Sequence, residues 1–291
     1  MYAYRKSDGA EFPCGSDDVC RIEQGSTNPY LSEPRLLEQF LKKIEPHHNR
    51  ACDALAENRF THDDLLVLSG FIAFVVGCSP TAMRHGAVSF ERLARTEIEL
   101  LDRAHLLDDA PAELGSKTAT ELLRDGVINI NTDQKFPQAV GISAIVELAR
   151  SFATFHWEIL LNRHSERAPF LTSDYPAAIE RSDGQVTNRI VPLRPDLAVR
   201  IVPQVRPPNR PDLPSDFRYR LLHVSPSEVT SINRSVVKCA EDLIFSPVRA
   251  PWVTRLVRKS ARFRLELEHT RVANGSGFLL LNRVVIKERR E

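Results

Sequence analysis

What this chain lacks narrows it first. Net charge is nearly absent: 39 lysines and arginines against 38 acidic residues leave +1. No global field therefore draws the protein to DNA, RNA or an anionic membrane. The five cysteines, Cys14, Cys20, Cys52, Cys78 and Cys239, are odd in number and scattered. That suits reduced thiols in a cytoplasm rather than a secreted disulfide framework. No Cys-x-x-Cys or His-x₃-His pair is present, and Cys14 and Cys20 stand six apart, so the spacing carries no zinc signature. His47 and His48 are adjacent, which on a helix points them about 100° apart and makes a poor ligand pair. Glycine-rich phosphate loops are missing, which disfavours nucleotide binding of that type. The stretch Gly141-Ile142-Ser143-Ala144-Ile145 lacks the second glycine of a hydrolase nucleophile elbow, and Ser143 is expected in the core stripe of a helix. No basic-then-apolar leader opens the chain.

Long apolar runs are scarce too. Leu65 to Met83 carries no charge, yet Gly70, Gly77, Cys78, Ser79, Pro80 and Thr81 dilute it. The strongly apolar part, Leu65 to Val76, is short for a membrane span and reads as a buried core helix. A cytoplasmic protein with no membrane partner is the expectation.

What is present has two halves. Residues 1–30 form an irregular lead-in, with Tyr2-Ala3-Tyr4 a candidate strand and loops at Ser7-Asp8-Gly9 and Gly15 to Asp18. A strand pattern at the very start leads us to expect a natural domain that begins upstream of Met1. Helices dominate residues 31–165. Ser32 is an N-cap candidate for a helix from Glu33, with Leu36, Leu37, Phe40, Leu41 and Ile44 on one face and a break at Pro46. Thr61 caps a second helix whose first turn carries Asp63 and Asp64. Ser79-Pro80 opens a third toward Leu107, and a short one spans Lys117 to Leu123. A long helix is expected from Pro137 to Leu161, with Ile142, Ile145, Val146, Leu148, Ala149 and Phe152 as its stripe. His156 lies beside Trp157 near its end, as a core histidine or facing a cleft.

Beyond residue 166 the period shortens. Strands are expected at Pro169–Ser173, Ala177–Glu180, Val186–Leu193, Leu197–Val202 and Arg218–Val224, with a turn at Ser182-Asp183-Gly184. Four prolines make Gln204 to Phe217 an extended loop. Ser225-Pro226-Ser227-Glu228 is a capping box that opens a helix to about Ala240. Phe263–His269 and Phe278–Lys287 flank Asn274-Gly275-Ser276-Gly277 as a terminal hairpin. The class is α+β: a helical N-terminal half followed by a mostly antiparallel β-sheet with one or two helices, residues 166–291 packing with 31–165 as one domain.

Two constellations carry chemistry. Pro176 halts the strand at Pro169–Ser173 and leaves Thr172, Ser173 and Asp174 at its end. There two hydroxyls and a carboxylate can converge on a divalent cation, with Asp174 joined by Glu38 or Glu45. Those glutamates stand seven apart and share a face if their helix is continuous. Such a site fits metal-assisted hydrolysis, possible for a phosphodiester. The bland reading has Asp174 in an Asx-type turn and the hydroxyls satisfying loop amides. A nuclease pattern of an acid followed by Glu-x-Lys is not met, since Glu180-Arg181-Ser182 follows. The second constellation is basic. Arg255, Arg258, Lys259, Arg262 and Arg264 cluster at helical spacings, and Lys287, Arg289 and Arg290 end the chain. This face fits nucleic acid or a partner protein, although Glu266, Glu268, Glu288 and Glu291 are interleaved and a solvated surface is the plain alternative.

Four stretches together resemble one family. They are Tyr2-Ala3-Tyr4-Arg5-Lys6; Glu38 to Glu45 with Thr61-His62-Asp63-Asp64; Trp157 with Phe170-Leu171-Thr172-Ser173-Asp174-Tyr175-Pro176; and Asn233 to Ser246. They are similar to the large bacterial family DUF4238, a domain of unknown function, with the Thr-Ser-Asp-x-Pro stretch the sharpest part. The resemblance implies the fold. Two departures bear on activity. The family's N-terminal His-x-x-Pro-x-x-Tyr-Leu motif has no match here, and Cys78 stands where members tend to carry arginine before the third helix's proline.

Overall fold

Capping and turn chemistry set most element boundaries. In the computed structural model the described residues are 1–15, 18, 25–182, 186–203, 217–275 and 277–289. Cys20, part of the Gly15–Asp18 loop, Asp183 and Gly184 of the expected turn, the proline-rich stretch 204–216, Ser276, Arg290 and Glu291 lie outside them.

Among the described residues eight α-helices and eleven strands follow one another. The first strands are β1 (Tyr2–Arg5) and β2 (Glu11–Pro13). The helices α1 (Leu36–Lys42), α2 (Glu45–Ala56), α3 (His62–Cys78), α4 (Pro80–Arg103), α5 (Ala119–Arg124) and α6 (Lys135–Thr154) come next. Then come β3 (His156–Leu161), β4 (Thr172–Ser173), β5 (Ala178–Ser182), β6 (Val186–Arg194), β7 (Leu197–Val202) and β8 (Arg218–His223). The chain closes with α7 (Pro226–Cys239), β9 (Leu243–Ser246), α8 (Pro251–Ser260), β10 (Phe263–Asn274) and β11 (Gly277–Glu288). The architecture is α+β, helices first and largely antiparallel sheets after.

The cap at Thr61 and the capping box at Ser225 form as read, and the Thr61 cap is a capping box as well. Thr61 Oγ1 accepts from Asp64 N while Asp64 receives the Thr61 N–H, and Ser225 and Glu228 do the same for α7. Other boundaries shift. Ser32 does not cap a helix from Glu33, because the Pro34 carbonyl already accepts from Asn28 N at 2.9 Å and α1 begins only at Leu36. The long helix does not reach Leu161. Phe155 turns extended, and the Trp157 indole donates to Phe152 O at 2.8 Å, taking a carbonyl from the helix end. The residues that follow become β3, a central strand. On α6 itself Val146 is 49% exposed and Ser143 faces solvent, so neither belongs to the core stripe.

The described strands make three sheets. One has the order β5-β6-β7-β3-β8, antiparallel except for the parallel β3–β8 pair. A second, β2-β1-β9-β4, pairs β1 with β9, the fourth-last element, and β9 with β4. The hairpin β10-β11 is the third. A continuous apolar cluster runs from Leu37, Leu68 and Ile72 in the helices through Trp157, Ile190 and Val199 in the sheet to Val236 and Leu265. Among the described residues no single helix is long and apolar enough to cross a membrane.

A charged row crosses the larger sheet. Glu158 on β3 is 7% exposed and stands in register with Arg200 on β7 and Arg220 on β8. Arg200 Nη1 donates to Glu158 Oε2 at 2.6 Å and its Nε to Glu180 Oε2 at 2.7 Å, while Arg220 Nε donates to Glu158 Oε1 at 3.1 Å. Burial works to raise the Glu158 pKa, and the hydrogen bonds and charges of the two arginines outweigh it, so the carboxyl lies below its ordinary 4.5.

Two tests follow from this frame. At the crossing of α3 and α6, a Cβ on Gly141 would meet Gly77 O at 2.1 Å, whereas one on Gly77 would find its nearest atom at an ordinary 3.6 Å. Gly141→Ala should lower the unfolding free energy by about 3 kcal/mol, an overpacking cost against rigid backbone. Gly77→Ala should match wild type or exceed it slightly, since alanine favours a helix; equal losses in urea melts would contradict the crossing. For Glu158→Gln, a depressed folded pKa means the carboxylate's contribution is complete above 4.5 and lost as pH falls through the lower folded value. The stability gap between wild type and variant, ~2 kcal/mol at neutral pH, should therefore close in acid, and a gap flat from pH 7 to 3 would refute the assignment.

Candidate functional site

The acidic turn sits where Pro176 was expected to stop the strand. Phe170 and Leu171 are buried at 3% and 0%, Thr172 and Ser173 pair with Phe245 and Ile244 of β9, and Asp174 follows. Ser173 Oγ accepts from Tyr175 N at 3.2 Å, a local turn. Asp174 does not turn back on its own segment. Its Oδ1 accepts from Glu241 N at 2.8 Å, and its Oδ2 from Asp242 N at 2.7 Å and Leu243 N at 2.8 Å. Burial pushes the Asp174 carboxyl above its ordinary value, and the three amide donors pull it part of the way back.

A second buried charge completes the arrangement. Lys6, at the end of β1, is 4% exposed, and its Nζ donates to Val237 O at 3.0 Å, Ala240 O at 2.8 Å and Phe263 O at 2.5 Å. The first two are carbonyls at the C-terminal end of α7, where a cation is favoured. Desolvation, then nearby Arg289, pull the Lys6 pKa down to about 8, against Asp174. Asn233 on α7 adds an amide clamp, accepting from Leu171 N and donating to Pro169 O, each at 2.9 Å.

The other metal candidates lie elsewhere. Glu38 is half-buried on α1 and pairs with Lys42 at 2.8 Å. Glu45 opens α2, so the glutamates belong to two helices, with the break at Lys43-Ile44 just ahead of Pro46. Among the described residues no group of three or more His, Cys, Asp or Glu side chains is gathered for a metal. The Asp174 oxygens already accept three amide hydrogens, and Glu38 is held by Lys42. Sequence reasoning missed Lys6, Asn233 and Glu158. Lys6 carried no local signal, since it stands between Arg5 and Ser7-Asp8 and reads as a surface turn.

The basic constellation divides in two. Arg262 reaches Glu288 at 3.3 Å, Arg264 pairs with Glu266, and Glu268 holds Arg283 at 2.5 Å and Lys287 at 2.7 Å. Hairpin acids thus neutralise hairpin cations. On α8, Arg255, Arg258 and Lys259 are exposed and have no acidic partner within ion-pair distance among the described residues. Val253 and Val257 on its other side are buried at 0% and 2%. Beside Arg255 and Arg258, a cavity of about 470 Å³ opens toward Arg249, which bonds Glu11.

Fold and site together define an α+β protein in which a turn and the first strand lock one buried helix end. Residues 1–249 match the family described as protein of unknown function (DUF4238), and the chain belongs to that family. No curated protein and no solved structure matches it. Lys6, Asp174 and Asn233 lie within the matched region, whereas α8 and the hairpin follow it.

The lock can be tested directly. Asp174→Asn places an amide donor among three backbone donors and should lower the unfolding free energy by about 3 kcal/mol. Lys6→Met should cost about 2 kcal/mol by leaving helix-end carbonyls without a donor. Unfolding free energies within 0.5 kcal/mol (roughly) of wild type for both variants would show that the charges do not hold this junction.

Proposed function

We propose that this DUF4238 protein is a non-catalytic binding module that engages nucleic acid through the outward face of α8. The supporting observation is the division of charge just described: the interleaved acids pair with hairpin cations and leave Arg255, Arg258 and Lys259 on one helix face without an ion-pair partner among the described residues, the charge of Glu11 reaching Arg258 only at longer range. These cations stand at spacings of three and one within α8, which keeps them on one face, while Arg262 follows the helix and pairs with Glu288. Such a row suits a phosphate backbone, where contacts give affinity without base readout. Regulation through this face is the role we infer.

The enzyme reading, a metal-dependent hydrolase or nuclease-like site around Asp174, Ser173, Thr172 and Glu38, needs free carboxylate lone pairs. The hydrogen bonds at Asp174 favour the binding module over it. Fluorescence anisotropy with a labelled 20-nucleotide single strand, a duplex and an RNA, over about 50–200 mM salt, separates the readings. Wild type should bind with affinity that falls with salt. Arg255→Glu with Arg258→Glu should weaken binding at least about tenfold and flatten the salt slope by roughly two. Binding that ignores this reversal would overturn the proposal, as would capture of only protein partners. Mg²⁺- or Mn²⁺-dependent cleavage of the probe, abolished in Asp174→Asn with no loss of stability, would restore the enzyme.

A further inference from the structure

Between α4 and the terminal hairpin lies a groove that plays no part in the reading above. On α4, Val88, Arg92, Arg95 and Glu99 recur at spacings of four, three and four and so share one helix face. On β10, His269 and Arg271 are two apart and share one face of the ribbon, with Leu280 of β11 directly across from Arg271. The two faces enclose a cavity of about 540 Å³. That size lies within the range of small-molecule sites, roughly 300–1,000 Å³.

Its charges are only partly satisfied. Arg271 donates to Thr96 Oγ1 and to Glu99 Oε2, both at 3.1 Å. Glu91, also lining the groove, accepts from Thr132 N at 3.3 Å through Oε1, and its Oε2 has no partner among the described residues. Arg92 and Arg95 have no carboxylate within ion-pair distance among the described residues. His269 Nδ1 stands 2.6 Å from Asn282 Oδ1, which suits a proton on Nδ1, and in the neutral ring Nε2 is then an acceptor. That Nε2 is buried and has no hydrogen-bond partner among the described residues.

Complementary chemistry is readable from these groups. Two guanidinium groups one turn apart, without an acid between them, match the oxygens of a phosphate. Vacant acceptors at Glu91 and His269 match hydroxyl donors on the same molecule. Val88 and Leu280 offer an apolar wall for its carbon skeleton. We propose that the groove binds a small hydroxyl-bearing phosphate monoester, of the sugar-phosphate class, through Arg92 and Arg95. The site is independent of the α8 face, and the two can fail separately.

Isothermal titration of the full chain with ribose 5-phosphate, inorganic phosphate and ribose tests this, at fixed ionic strength with sulfate as balancing anion. Ribose 5-phosphate should bind at least about tenfold tighter than inorganic phosphate or ribose. Arg92→Gln with Arg95→Gln should weaken it at least about tenfold at unchanged melting temperature, because neither arginine holds a partner whose loss would unfold the protein. The Arg255→Glu, Arg258→Glu protein should bind it as wild type does. Ribose 5-phosphate bound no tighter than inorganic phosphate, or equally well by the Arg92 and Arg95 variant, overturns the proposal.

Discussion

The junction at Val237–Leu243 is the constraint on which the rest of the structure depends. Here the chain leaves α7 and enters β9 in the protein interior, where backbone groups that lose water must find partners. Their carbonyls receive Lys6 from the first strand, and their amides are received by Asp174 from the turn after β4. Segments far apart in sequence are thereby held at one point. Burial of two opposite charges is tolerated because each is saturated by fixed backbone dipoles rather than left to find the other.

The helix α4 and the terminal hairpin meet at that junction. Glu241, within it, accepts from Arg84 on α4 at 2.9 Å, and the same arginine donates to Leu265 O at 2.7 Å and Glu266 Oε2 at 3.2 Å in the hairpin. His85 lies 3.1 Å from the Leu265 carbonyl. The hairpin is therefore anchored at its base against α4, and further out Arg271 bridges to Thr96 and Glu99 along the groove. The two surfaces proposed for ligands, the α8 face and the α4–hairpin groove, both use elements beyond residue 249.

Local chemistry was legible wherever a few neighbouring residues decide the outcome. The boxes at Thr61 and Ser225 formed because cap and N3 residue lie three positions apart and need nothing else. Leu197–Val202 kept its bounds as β7 because its apolar run is flanked by Pro195-Asp196 and Pro203. His156–Leu161 was absorbed into the preceding helix because a run of Trp157, Ile159, Leu160 and Leu161 satisfies a helical pattern as well as a buried strand. The short strands β2 and β9 carry too few residues to show a period. The acidic turn was visible as a turn. What its carboxylate holds was not, since the partner amides come 67 to 69 residues later.

The sequence by itself determined the α+β class, the order of helices before strands, the capped helix starts and the clustering of cations near the end of the chain. Each rests on interactions within about a helical turn or a hairpin. Only the tertiary structure decided that Asp174 secures backbone amides, that Lys6 is buried on a helix end, and which arginines keep an acid for company. Those outcomes depend on strand register and on the docking of distant elements, which choose among partners that are equally near in composition and far apart along the chain.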